Sequence, residues 1–182
     1  MSTALSYAQL KSALWADSRA RVHAIIDGGA VPGLAAKVAA AESNGWDCLL
    51  RGALAPEVAA TAPYLVELTE ASPFTDWLLD EATTVHPGWG IAMVSHAALL
   101  AAREHCRDLC NVMMPTGERR RWRWWDAELL ALLLPGAQAS QLDELFGLGQ
   151  QIIVPARDAW TWYRLEDGVL AVDARARMQE KR

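Results

Sequence analysis

The chain of 182 residues has three cysteines, Cys48, Cys106 and Cys110. An odd number without C-x-x-C spacing argues against a disulfide framework and suits a reducing, cytoplasmic compartment. Positive charge is not in excess. The formal net charge is −5 at pH 7, which opposes general nucleic-acid binding, because that binding rests on neutralising phosphates. Gly-rich phosphate loops are missing: Asp27-Gly28-Gly29 has neither the Lys and Ser/Thr of a P-loop nor the spacing of a dinucleotide turn. There is no G-x-S-x-G nucleophile elbow. Ser95 and His96 are adjacent, and on a strand they point to opposite faces, so they make no catalytic pair. The first residues lack a basic region followed by an apolar one, so no secretory signal is expected. From Ala82 to Ala102 there is no Asp, Glu, Lys or Arg, a length that could span a bilayer. That run also holds Thr83, Thr84, His86, Pro87, Gly88, Ser95 and His96, so it reads as a soluble strand and helix start, and no membrane insertion is expected.

What the chain does have is tryptophan: nine, against two phenylalanines, in a sequence that is 52% hydrophobic. This composition suits one domain with a real core. Large rings serve cores and partner surfaces alike. The stretch that organises the rest runs from His105 to Leu134. Asn111-Val112-Met113-Met114, the turn Pro115-Thr116-Gly117-Glu118 and Arg119-Arg120-Arg121-Trp122-Arg123-Trp124-Trp125-Asp126 lead into the apolar run Leu129 to Leu134. The turn signal predicts a hairpin of Val112–Met114 with Arg121–Trp125. Asp126 is placed to cap the following helix. Arg123 would tuck under the Trp rings and satisfy its donors on a carboxylate or carbonyls.

Elsewhere, Ser6-x-x-Gln9 reads as a capping box opening a helix to about Asp17. Val22–Asp27 reads as a strand, Val31–Glu42 as a helix and Trp46–Leu50 as a second strand, which suggests a βαβ unit with a parallel pair. Tyr64–Leu68, introduced by Pro63, and Gly90–Ser95 are further strands, and Ser72-Pro73 starts a helix. The helix from about Ala97 carries Leu99, Ala102, Cys106, Leu109 and Cys110 on one stripe. Ser140-x-x-Asp143 caps another, and Ile152–Pro155 is a short strand. Trp160–Leu165 and Val169–Val172 form a hairpin across Glu166-Asp167-Gly168. The expected architecture is mixed α/β: a central mixed sheet with interleaved helices in one domain. Residues 1–118 would form an α/β lobe and 119–182 a smaller C-terminal helical and hairpin lobe, with 174–182 a flexible, Arg-rich tail.

Cys106 and Cys110, four apart on one helix with His96 or His105 nearby, are the best metal candidates. They lack the C-x-x-C clusters of structural zinc, and small core residues explain them as well. No metal and no cofactor is expected. The pairs Asp126/Glu128 and Asp143/Glu144 sit where helix starts favour acids. The basic, Trp-interleaved strand could stack single-stranded nucleic acid, but the overall charge opposes this. A patch for a partner protein, built from Arg120, Arg121, Trp122, Trp124 and Trp125, suits it better.

The order of segments resembles a known family. The apolar strand ending Asp27-Gly28, then Ala62-Pro63-Tyr64-Leu65-Val66-Glu67-Leu68, then the helix carrying His105-Cys106-Arg107-Asp108-Leu109, look like the type VI secretion effector adaptors. The closest local likeness is Gly117 followed by Trp122-Arg123-Trp124-Trp125-Asp126. There the family shows aromatic-Arg-aromatic-aromatic-Asp-Pro-Arg, whose last two residues are Ala127 and Glu128 here. His105 and Arg107 match its His-Leu-Arg, with Cys106 in place of Leu. The resemblance spans about Val22 to Val154 and implies structural roles for Asp27, Pro63, His105, Arg107, Arg123 and Asp126. It further implies a non-enzymatic cytoplasmic chaperone that binds a toxic effector and loads it onto the valine–glycine-repeat spike. Two alternatives stay open: an immunity protein that neutralises a toxin, and a small enzyme with a pocket around His86, His96 and His105.

Overall fold

The computed structural model describes residues 4–179. Apolar runs form its centre. Strands β1 (Arg21–Asp27), β3 (Pro63–Glu67) and β4 (Gly90–Ser95) have almost every residue buried. They take the middle of a seven-stranded sheet of order β2-β3-β1-β4-β7-β8-β9. The remaining strands are β2 (Gly45–Cys48), β7 (Gly149–Pro155), β8 (Ala159–Glu166) and β9 (Val169–Ala176). A separate hairpin pairs β5 (Asn111–Met113) with β6 (Arg119–Arg121).

Each face of the sheet carries its own core, sorted by the two-residue period of the strands. Ala24, Ile26, Val66, Ala92, Ile153 and Trp162 point to one side. There α1 (Tyr7–Leu14), α2 (Leu34–Ala39) and the continuous run of α4 (Pro73–Asp76), a π-helical turn and α5 (Ala82–Val85) supply Leu10, Leu34 and Leu79. Ile25, Leu65, Ile91, Met93 and Ile152 point to the other side. They meet Cys106 of α6 (Leu99–Leu109), Leu130 of α7 (Ala127–Leu133) and Leu142 of α8 (Ala139–Phe146). The short α3 (Pro56–Thr61) buries none of its residues and has no periodic stripe by which sequence could announce it.

Several expectations change. Every ladder of the large sheet is antiparallel, so the sheet is not mixed and no βαβ pair forms. The fully buried β3 inserts beside β1, and the half-exposed β2 goes to the edge. That arrangement hides the more apolar of the two strands, which outweighs chain order. The C-terminal strands β7, β8 and β9 continue the same sheet rather than building a lobe of their own, because Ile152, Ile153, Trp160 and Trp162 are needed in the two cores. Residues 174–179 are no loose tail: β9 extends to Ala176 and Arg177 bridges to Leu5. The last part of that tail, 180–182, lies outside the described residues. Gln138, not Ser140, caps α8, with the Gln141 side chain returning to the Gln138 amide at 2.8 Å. The capping box at Ser6 and Gln9 forms. So does the Asp167-Gly168 turn, whose φ angles of 51° and 77° suit a tight hairpin.

Candidate functional site

The segment from His105 to Leu134 covers one face of the sheet, and its local order follows from unsatisfied helix carbonyls. After α6 the chain turns into β5, reverses at Gly117 (φ 80°) and returns along β6 in register Asn111↔Arg121 and Val112↔Arg120. A hairpin thus forms about the predicted turn, but its second strand is Arg119–Arg121 and not Arg121–Trp125. Beyond Arg121 the chain leaves the ladder, and Trp122 and Trp124 serve the C-terminal end of α6. The last carbonyls of a helix lack partners within it. Here the Trp122 indole donates to the Leu109 carbonyl and the Trp124 indole to the Cys106 carbonyl at 3.2 Å. Trp124 and Trp125 meet edge to face, with ring centres 6.4 Å apart.

Trp125 reaches further, to Asp27 at the end of β1. The Asp27 carboxylate is almost wholly buried and accepts three hydrogen bonds: from the Gly29 amide at 2.7 Å, Arg123 at 2.5 Å and the Trp125 indole at 3.1 Å. Pro63, lacking an N–H, sits directly across from Asp27 at the start of β3. Arg123 lies 3.8 Å from Asp126, whose side chain caps α7 through the amides of Glu128 and Leu129. The structure therefore brings Asp27, Pro63, Arg123 and Asp126 together at one end of the sheet. Arg123 itself is not tucked beneath the rings: its side chain is 59% exposed and it pairs with Asp27 from outside. Ordering the two indoles inward leaves no room there for the guanidinium.

His105 and Arg107 act apart from this knot, on α6. Arg107 donates to the Cys48 carbonyl at 2.7 Å and lies 3.6 Å from Asp47, tying the helix to edge strand β2. Arg103 joins Asp47 at 2.6 Å, and Arg51 donates to Glu104 at 2.7 Å, holding the Glu104 carboxyl below the ordinary range. The His105 ring lies 3.1 Å from the Leu145 carbonyl and packs under Gly147, where an added Cβ would approach the imidazole to 2.4 Å. Gly147 is therefore a packing glycine.

Of the residues expected to meet a partner, Arg120 and Arg121 are exposed and Trp122 is partly so. Trp124 and Trp125 are not available: Trp124 is 0% exposed, and both belong to the core. Strand alternation would have put one of them outside; leaving the strand buries both. Trp122 instead lines an open groove of about 420 Å³ between β5, α7 and α8, floored by Leu130, Leu134, Leu142 and Leu145. Beside it α7 exposes Leu132 and Leu133. The apolar run Leu129–Leu134, with no polar face, was the signal for this surface.

The three histidines do not converge. His86 precedes β4 and His96 follows it, at opposite ends of a strand, and His96 pairs with Asp17 at 2.8 Å. Cys106 is fully buried, and burial pushes its thiol far up; burial likewise pushes Cys110 up to about 11. Among the described residues no group of three or more His, Cys, Asp or Glu is placed to hold a metal. No helix there is long and apolar enough to cross a membrane.

A seven-stranded antiparallel sheet with helices on both faces, locked at one end by a buried Asp that accepts from an Arg and a Trp, defines a mixed α/β scaffold. Residues 22–144, from β1 into α8, match the family described as a domain of unknown function, DUF4123, and the chain belongs to that family. No curated protein and no solved structure matches it.

Proposed function

We propose that the protein is an effector-specific adaptor and chaperone of type VI secretion, which holds a toxic effector in the bacterial cytoplasm and loads it onto the valine–glycine-repeat spike. The observation that carries this reading is how the polar motif residues are spent. Asp27, Arg123, Asp126, His105 and Arg107 are engaged with one another or with backbone carbonyls and amides. They hold the scaffold, while the exposed arginines and leucines around it are left for another molecule. The motif resemblance at Trp122–Asp126 supports the same reading. In this reading the protein makes and breaks no bonds and needs no cofactor; it works by shape and charge complementarity.

Co-expression with the products of adjacent genes, followed by pull-down, tests it. A stable complex with one toxin-like protein, whose yield falls when the adaptor is absent, is the expected result. Direct inhibition of the toxin's activity and protection of a target cell would instead favour an immunity role. Arg120→Glu with Arg121→Glu should weaken the complex; undiminished capture removes the hairpin from the interface.

A further inference from the structure

We propose that the groove between the β5–β6 hairpin, α7 and α8 receives one amphipathic α-helix of a partner protein, with apolar residues along one side and acidic residues over Arg119–Arg121. The proposal rests on the adaptor reading and locates its contact. Between Glu128 and Asp143 the sequence carries no charge. A surface helix normally hides one apolar stripe and shows a polar face to water; a helix that is apolar all round belongs in an interior. Here α7 and the turn after it hide Leu130 and Leu134, yet Leu132 is left 76% exposed and Leu133 44% exposed. Leu133 lies on the groove rim, and the floor is leucine. The volume would also admit a small molecule. A helix, about 10 Å across with its side chains, laid along the groove sets its apolar side on Leu133 and the leucine floor and carries acids to the arginine rim, which a small apolar ligand does not reach.

Charge settles the occupant's character. The hairpin carries Arg119, Arg120 and Arg121 against one acid, Glu118, in a chain of net charge −5. Glu118 holds Arg120 at 3.1 Å on the surface, a contact of the kind that contributes little and is readily exchanged. Among the described residues Arg119 and Arg121 have no carboxylate within ion-pair distance. Register places Arg120 across from Val112 and Arg121 across from Asn111, and both Val112 and Asn111 line the groove, so these two arginines border its hairpin end. The opposite rim carries Glu144. A partner helix with its acids at the hairpin end and none beside Glu144 meets complementary charge along its length.

The test uses the full chain and a dye-labelled peptide of about 20 residues, long enough for helix formation on binding. It carries Leu at i, i+3, i+4 and i+7 and Glu clustered at one end; a twin carries Lys in place of Glu. By fluorescence anisotropy the acidic peptide should bind, with an affinity that falls as salt rises. Leu133→Glu should weaken it about tenfold or more, as loss of an apolar anchor does. Arg120→Glu with Arg121→Glu should weaken it severalfold and flatten the salt dependence, and the Lys twin should bind less well. Should Leu133→Glu melt early, Leu133→Ser, which removes the apolar anchor without adding charge, replaces it. Absence of binding, equal binding by the two peptides, or indifference to both leucine substitutions overturns the proposal. So does a wild-type dimer in sedimentation that Leu133→Glu dissociates, since the occupant is then a second copy. Capture of the adjacent gene product by wild type and Leu133→Glu alike sinks the groove and leaves the adaptor reading standing. Peptide binding with no such capture by wild type sinks the adaptor reading alone.

Discussion

Replacing Asp27 should cost more stability than replacing any partner it holds. In Asp27→Ala the Trp125 indole N–H, buried and bonded at 3.1 Å, loses a charged acceptor. An unsatisfied buried donor costs about 1–3 kcal/mol. The Gly29 amide loses its bond as well, worth about 1 kcal/mol or more to a charged oxygen. The Arg123 pair, despite its 2.5 Å contact, has one side chain mostly in water, which limits it to about 1 kcal/mol. Together these give about 3–5 kcal/mol, and at about 2–4 °C per kcal/mol for a chain of this size the melting temperature should fall by roughly 10 °C. Asp27→Asn keeps the shape and can still accept from Gly29. It turns an amide N–H₂ towards two donors, however, so it should lie close to Asp27→Ala. Arg123→Ala should lie well above both. Urea unfolding followed by Trp fluorescence measures all three, with the m-value checked for constancy. A neutral Asp27→Asn, or an Arg123→Ala as damaging as Asp27→Ala, refutes the reasoning, since the indole bond would then not be what matters.

Three further outcomes follow from other sites. His23 is fully buried against the Glu67–Arg21 ion pair, 3.6 Å from Glu67 with no hydrogen bond to either ring nitrogen, and burial lowers its pKa from 6.5 to about 4. The unfolded chain thus binds the proton first, and stability should fall as pH drops from about 6.5 to 4, with a slope approaching about 1.4 kcal/mol per pH unit. His23→Gln should flatten that window in pH-dependent denaturation, and an unchanged slope assigns the loss to other groups. Gly90, with φ 142°, has the Ile25 carbonyl oxygen 1.9 Å from where a Cβ would stand; Gly90→Ala should therefore cost about 3 kcal/mol or more or abolish soluble yield, as a thermal melt would register. Cys106 and Cys110, with thiols pushed up by burial, should resist Ellman's reagent in the native state and react on unfolding; rapid native labelling of either, located by mass spectrometry, would contradict their placement in the core.

The amino-acid order alone settled what local chemistry can settle. The Ser6–Gln9 box, the Asp126 cap, the Asp167-Gly168 turn and the runs that became β1, β3 and β4 depend on neighbours within a few residues, and each formed. The hairpin before Trp122 was legible in the same way. Which strands lie side by side was not: β3 displaced β2 from β1 because burial is decided across the whole sheet, and the C-terminal strands joined it for the same reason. Nor could spacing foresee that Trp122 and Trp124 would leave the ladder to reach carbonyls at the end of α6, or that Asp27 would bind Arg123 and Trp125 nearly a hundred positions along. Those bonds join groups that only the folded chain brings within reach. The residue types were in the sequence; which tryptophans face inward and which leucines stay in water was decided by packing.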